Sequence, residues 1–383
     1  MGKKFYKKLL ALGISVSLSV TALAGCGTKS AEETAKTGET ETATEVQEVA
    51  DTEKDTDTEP VIEQMTFPLP DGPEEAEIYV EPVEGISDDF IRGMDASAVL
   101  SVENSGATYY NYDGEEQDVF MTLAQSGVNY IRLRVWNDPY DVDGNGYGGG
   151  NNDVPTAITL GKRATQYGMK VCVDFHYSDF WADPKRQHAP KAWEGLSVEE
   201  KCTALYNFTK DSLTQMLEAG IDVGMVQVGN EINNGMAGEE DVSAVMNLIR
   251  AGSRAVREVA ENYQKDIQVA VHYTNIEDNE EVDTMTANLA DAGVDYDLFG
   301  LSYYPFWDGT NENMQNVARN IEEKYGKKVY IAETSYCYTS EDGDGFDNSL
   351  KGTDDLVDGY AATVQSQARM IRDICAAANE ADV

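Results

Sequence analysis

The middle of the chain holds a run, Val223 to Val228, apolar enough to be buried on both faces. It closes on Gly229-Asn230-Glu231. Such a run suits a parallel strand covered by helices, not a half-solvated one. A second run, Lys328 to Ala332, also closes on an acid, Glu333. Around them the chain alternates short strands with longer helices from residue 86 onward. Phe90–Asp95 reads as a first strand, Gln117–Ser126 as a helix ended by Gly127, and Val128–Trp136 as a second strand. That second strand has parity. Ile131, Leu133 and Val135 share one face, and Tyr130, Arg132, Arg134 and Trp136 share the other. In the third strand Val171, Val173 and Phe175 alternate with Cys172, Asp174 and His176. Later strands are expected at Ile267–His272, Asp297–Tyr303 and Lys328–Glu333. Helices are expected at about 154–168, 197–220, 239–264, 280–293, 311–326 and 355–379. The helix over 239–264 shows the amphipathic spacing in Val242, Val245, Met246, Ile249, Val256 and Val259.

Strand and helix in regular alternation predict an α/β fold, a (β/α)8 TIM barrel whose C-terminal rim carries the chemistry. The pattern supplies seven strands. The last helix runs almost to Val383, so the eighth strand is apparently missing and the chain reads as truncated. Inward-facing arginines on the second strand need acidic partners, and Asp174 on the third is one. Glu231 and Glu333 would face each other across one pocket at the rim. On parity alone, this pair fits catalysis and structural pairing with interior arginines equally well.

Outside the barrel the texture differs. Residues 1–25 read as a signal peptide: Lys3, Lys4, Lys7 and Lys8 precede an apolar run from Leu9 to Ala24. The run is short for a membrane span. It ends Leu23-Ala24-Gly25-Cys26, similar to a bacterial lipoprotein box in which Cys26 is lipidated. Residues 26–85 are rich in Thr and Glu and poor in large apolar side chains before Val61, the composition of an acidic disordered linker. Its last part, 60–85, is expected to lie along the domain. The barrel then occupies residues 86–383.

Charge narrows the partners. The 383 residues carry 69 acidic against 29 basic side chains, a formal net charge of −40. Nucleic acid and polyanionic substrates are disfavoured, and a neutral polymer is not. Five cysteines contain no CxxC pair, which gives a cysteine zinc site little support. Cys172, Cys202, Cys337 and Cys375 are expected to be free thiols.

The barrel segment resembles glycoside hydrolase family 53, the arabinogalactan endo-β-1,4-galactanases. The segments that carry the likeness are IRLRVWNDP (131–139), YGGGNND (147–153), DFHYSDFWADPKRQ (174–187), VQVGNEINNG (226–235), GLSYYPFW (300–307) and IAETSYCYT (331–339). The resemblance implies a retaining endo-hydrolase acting on β-1,4-galactan, with Glu231 as acid/base and Glu333 as nucleophile. It further implies Asn230 on the sugar 2-hydroxyl, Arg134 holding Glu333 ionised, and Tyr303 donating to Glu333. His176 and His272 would line the pocket. Trp136, Trp181 and Trp307 are candidate sugar platforms. Asp308 stands where the family usually has His after the Trp, so a subsite is expected to differ. Asp342, Asp344 and Asn348, in the acidic loop after Glu333, are candidates for a structural Ca²⁺; an ordinary acidic turn reads almost as well there. The loop Asp141–Gly146 starts like an EF-hand but has Asn152 at its twelfth position, so it reads as a Gly-rich rim loop. Catalysis requires no cofactor. The picture is a monomer at the bacterial cell surface, held to the membrane only by its lipid. A galactan-binding lipoprotein without hydrolysis, and the same chemistry on another β-linked polymer, remain the rival readings.

Overall fold

A computed structural model describes residues 61–68, 78–343, 345, 348–350 and 355–383. The signal peptide with Cys26, most of the linker, and Asp344 fall outside the described residues.

Seven parallel strands form one sheet in sequence order: β1 (Gly93–Asp95), β2 (Tyr130–Val135), β3 (Lys170–Phe175), β4 (Val223–Val228), β5 (Gln268–Tyr273), β6 (Leu298–Ser302) and β7 (Lys328–Glu333). Each strand pairs with its sequence neighbour, and among the described residues β7 and β1 do not pair with each other. This is a (β/α)8 barrel without its eighth strand. The helices are α1 (Val99–Asn104), α2 (Val119–Gln125), α3 (Val154–Gln166), α4 (Val198–Glu218), α5 (Val242–Tyr263), α6 (Asn279–Asp291), α7 (Asn311–Tyr325) and α8 (Val364–Glu380).

Local chemistry explains where they start. Asp118, Asp153, Ser197, Asp241, Asp278, Thr310 and Thr363 each accept a backbone N–H from the first turn of the helix they precede. At α4, Ser197 and Glu200 cap reciprocally. The Thr363 cap also corrects the expected 355–379 helix: α8 begins at Val364, and residues ahead of it form turns. The short α1 was not expected from the pattern.

The parity expected on β2 and β3 is observed. Ile131, Leu133, Val135, Val171, Val173 and Phe175 join the large core between sheet and helices. Inside the barrel a second, smaller cluster forms its floor: Cys172, Met225, Ala270 and Leu298, flanked by Ile91, Tyr130 and Tyr330. A Cβ on Gly224 would collide with the Tyr130 hydroxyl, so that interior position admits no side chain. The β3–β4 register slips between Val171 and Cys172 at the same level.

The lead-in does lie along the domain. Met65 N–H donates to Gln166 O at 2.8 Å. Further on, Tyr79 exchanges backbone bonds with the Gln365 amide. Arg372 Nε donates to Glu81 O at 2.8 Å, fastening residues 79–84 along α8.

Candidate active site

Above the apolar floor the interior becomes polar, and Arg132 is its hub. Its Nη2 lies 2.9 Å from Asp174 Oδ2 and donates to Asn230 Oδ1 at 2.8 Å. Its Nη1 lies 3.0 Å from Glu333 Oε1 and 3.5 Å from Asp95 Oδ2. Gln227 completes the layer. Its Nε2 donates to Asp174 Oδ1 at 2.5 Å, while its Oε1 accepts from the Tyr330 hydroxyl at 3.0 Å. Tyr330 fits there because position 300 is glycine; a Cβ on Gly300 would overlap the tyrosine ring. Gln227 thus breaks the apolar run of β4 on purpose: its amide is buried, with polar partners on every side.

The two glutamates sit at the ends of β4 and β7. Glu231 has left-handed backbone, φ 44° and ψ 55°, two residues after Gly229 at φ 89°. A β-strand that must turn its last carboxylate over the barrel mouth uses such a conformation, and non-glycine residues adopt it only when the surroundings impose it. Glu231 Oε1 accepts the Ser302 hydroxyl at 2.8 Å. Glu333 Oε2 accepts the Tyr304 hydroxyl at 2.8 Å, and its Oε1 takes the Arg132 ion pair.

These surroundings split the two acids. Burial pushes the Glu231 pKa up to about 7, and the charge of Glu333 adds to the rise against the smaller pull of Ser302 and Arg132. Burial acts upward on Glu333 too, but the downward pull of its neighbours, led by Arg132 and including the Tyr304 hydrogen bond, outweighs it and holds Glu333 below the usual carboxylate range. Near neutral pH the surroundings favour one protonated and one ionised carboxyl facing the barrel mouth, a proton donor beside a charged carboxylate.

Several expected roles move to neighbouring residues. Arg132, not Arg134, holds Glu333. Arg134 pairs with Asp95 at 3.3 Å and lies 4.1 Å over the Trp181 ring. Tyr303 does not donate to Glu333; its hydroxyl donates to Asn311 Oδ1 at 2.8 Å on the helix side, and Tyr304 takes the role. Trp136 is fully buried against Phe180, Trp181 and His176, so it offers no face to a sugar. Trp181 and Trp307 are 36% and 58% exposed, open enough to stack. His176 is buried, bonded to Asp174 Oδ2 and the Ala182 N–H, and acts as support rather than pocket wall. Asn230 is fixed by its Nδ2 bond to Ala182 O at 2.8 Å. His272 is fully buried behind Glu231 and Asn230.

Asp308 is also buried. Its carboxylate accepts the Tyr304 N–H at 2.6 Å, so it shapes the turn that carries Tyr304 instead of lining an open subsite. In the acidic loop, Asp342 accepts the Gly345 N–H, and Asn348 donates to Glu341 O. Among the described residues no group of three or more His, Cys, Asp or Glu side chains is arranged to hold a metal. Asp141 likewise serves its own loop, accepting from Asp143 and Asn145. The four cysteines from Cys172 to Cys375 are free thiols.

Comparison with known proteins agrees with this geometry. The sequence profile of glycosyl hydrolase family 53 matches residues 91–382. An endo-beta-1,4-galactanase of Bacillus subtilis (strain 168) is 53% identical over 298 residues, covering 78% of this chain and 68% of the relative. Arabinogalactan endo-beta-1,4-galactanase A of Aspergillus niger is 33% identical over 255 residues, covering 64% and 70%. Among solved structures, the family-53 catalytic domain of Ignisphaera aggregans superposes with a TM-score of 0.75 at 40% identity, covering 79% of this chain and 84% of that one. The matched region spans every strand of the barrel and both rim glutamates, and on that ground the chain belongs to glycosyl hydrolase family 53.

Proposed function

We propose that this chain is an endo-acting hydrolase of β-1,4-galactan, the neutral galactose polymer of type I arabinogalactan and of pectin side chains, and that it retains anomeric configuration. The observation that carries the reading is the opposed environment of Glu231 and Glu333. Ionised Glu333 attacks the anomeric carbon while protonated Glu231 delivers its proton to the leaving oxygen. The charge of Glu333 vanishes in the glycosyl-enzyme, which removes one cause of the high Glu231 pKa. Glu231 then gives up its role as acid and takes a proton from water as base. Asn230, held by Arg132 and Ala182, would offer its second Nδ2 hydrogen to the 2-hydroxyl of the sugar. Trp181 and Trp307 offer apolar ring faces to galactose C–H faces. The relatives of this chain named as galactanases support the substrate; the net charge of −40 suits a neutral polymer.

Around that core the reading adds a monomer tethered outside the cell by acylated Cys26. A Ca²⁺ on Asp342, Asp344 and Asn348 would brace the loop after Glu333, and no catalytic step draws on it. The deciding experiment incubates the full chain with purified β-1,4-galactan, mannan and glucan. Early release of mixed galacto-oligosaccharides with β-anomers seen first by NMR supports the reading. Binding of galactan without new reducing ends would replace it with a capture lipoprotein; cleavage of a different polymer would replace the substrate.

A further inference from the structure

Behind Glu231 lies a chain of hydrogen bonds that leads away from the cleft. Glu231 Oε1 is 2.8 Å from Ser302 Oγ, and Ser302 Oγ is 3.0 Å from His272 Nε2. His272 and Ser302 are both fully buried. On the far side of the imidazole, Nδ1 faces the Gln227 amide nitrogen at 3.1 Å and the Glu231 N–H at 3.4 Å, both donors. It also faces one acceptor, Asn230 Oδ1, at 2.9 Å.

Ser302 has a single hydroxyl proton, so the chain can run in two directions only. If neutral His272 carries its proton on Nε2, it donates to Ser302, and Ser302 must donate to Glu231 Oε1. The carboxyl proton of Glu231 is then confined to the other oxygen, Oε2. If His272 carries its proton on Nδ1, it satisfies Asn230 Oδ1, but Ser302 must turn to Nε2. Glu231 Oε1 then loses its donor and the carboxyl proton is drawn inward, to where a serine oxygen lies 2.8 Å away. The first direction gives the Nδ1 lone pair a donor, the Glu231 N–H or the Gln227 amide, and leaves only the contact with Asn230 Oδ1 unfavourable. Asn230 Oδ1 is in any case occupied by the Arg132 bond at 2.8 Å.

We propose that His272 and Ser302 are positioning residues that hold the catalytic proton of Glu231 on its outward oxygen, with His272 neutral and protonated on Nε2. The inference rests on Glu231 being the acid of the reaction proposed above. Burial supports the neutral ring by pushing the His272 pKa down to about 4. The charged and titratable groups around Glu231 come from several elements: Glu333 on β7, Arg132 on β2, Asp183 after β3 and Tyr304 after β6. Further back stand Asp174 on β3 and His176 just after it, which face Arg132 and the far side of the network.

The first test needs no variant and no activity. The chain has three histidines, His176, His188 and His272, so the imidazole nitrogens can be assigned by ¹⁵N NMR. Protonation of His272 on Nε2 is expected; protonation on Nδ1 overturns the proposal. The second test compares Ser302→Ala with wild type on galactan and on a dinitrophenyl β-galactobioside, whose leaving group needs no proton. Ser302→Ala should lose up to about 100-fold in kcat on galactan and little on the aryl substrate. Its basic limb should move to higher pH, because removing a donor to the carboxylate raises the Glu231 pKa. Ser302→Thr, which keeps the hydroxyl, should restore both. Equal losses on both substrates with an unmoved basic limb would assign Ser302 a purely structural role. A wild-type chain that fails to cut galactan would defeat the proposed function while leaving the NMR result to decide the tautomer.

Discussion

Arg132→Met removes the charge at the centre of the barrel and keeps most of the side-chain volume. In the folded chain Arg132 pairs with two carboxylates that have little access to water: the side chain of Asp174 is 0% exposed and that of Glu333 is 22% exposed. Removing one partner of a buried pair costs about 3–5 kcal/mol, because the other charge stays behind uncompensated. The lower end applies here. Asp174 keeps its bonds to Gln227 and His176, and Glu333 keeps Tyr304 and some solvent. For a domain of this size, about 3 kcal/mol corresponds to about 6 °C in Tm. The pH dependence gives a sharper reading. Asp174 and Glu333 both have folded pKa values held below their ordinary ones, with burial opposing and Arg132 favouring the shift. Groups lowered in this way stabilise the fold above their unfolded pKa, and that contribution fades as pH falls through the folded value. Without Arg132 the largest opposition to burial is gone and only weaker partners remain, among them His176 at Asp174 and Tyr304 at Glu333, so both pKa values rise and each carboxylate costs stability at neutral pH until it is protonated. The deficit of the variant should therefore shrink between about pH 7 and about pH 5. Thermal unfolding at both pH values measures it. The acidic limb of kcat/KM should rise as well, since protonated Glu333 cannot attack. A variant with the Tm of wild type at both pH values and an unmoved acidic limb would refute the assignment of Arg132 as the hub.

Other outcomes follow from the same geometry. Glu231→Gln and Glu333→Gln should each lower galactan hydrolysis by at least about 1000-fold, read as reducing-sugar release; substantial activity in either removes that residue from the chemistry. Glu231→Gln should also raise Tm above wild type at about pH 8 and not at about pH 5. A carboxyl with a raised folded pKa loses stability progressively as pH rises above its unfolded value, and the loss is complete once pH passes the folded value, here about 7. In wild type the basic limb of kcat/KM should fall near 7, and no basic limb below pH 9 would contradict the Glu231 environment. Trp307→Ala and Trp181→Ala should raise KM with modest change in Tm. Trp136→Ala should instead cost about 3–5 kcal/mol of stability, because that ring is fully buried.

Alternation carried most of the fold. β4 and β7 fall at Val223–Val228 and Lys328–Glu333, the bounds read from the apolar runs. The two rim acids were legible in place, as carboxylates closing buried strands, but position alone left structural pairing with interior arginines an equal reading, and the motifs around Glu231 and Glu333 tipped it to catalysis. Parity could also have resolved Tyr303 from Tyr304. Phe299 and Leu301 belong to the outer core while Gly300 and Ser302 turn inward, so Tyr303 continues the outer face. The choice between Arg132 and Arg134 was harder. Both share one face, and only the level of each in the barrel decides which meets Glu333. Trp136 depended on loops: Phe180, Trp181 and Gly149 close over it, and nothing in strand periodicity announces that cover. Ser302 gave no local signal, and His272 was marked only as a pocket-lining residue, because their link to Glu231 depends on a chain of bonds across three strands.

The most direct test of the account is to trap the covalent intermediate. The full chain is treated with a 2-deoxy-2-fluoro-galactobioside bearing an activated leaving group, then digested and read by mass spectrometry. The account predicts one glycosyl adduct, located by fragmentation on Glu333, with trapping slowed in Glu333→Gln to background. An adduct on Glu231 would reverse the two roles; turnover of galactan with inverted products and no adduct would contradict the retaining mechanism itself.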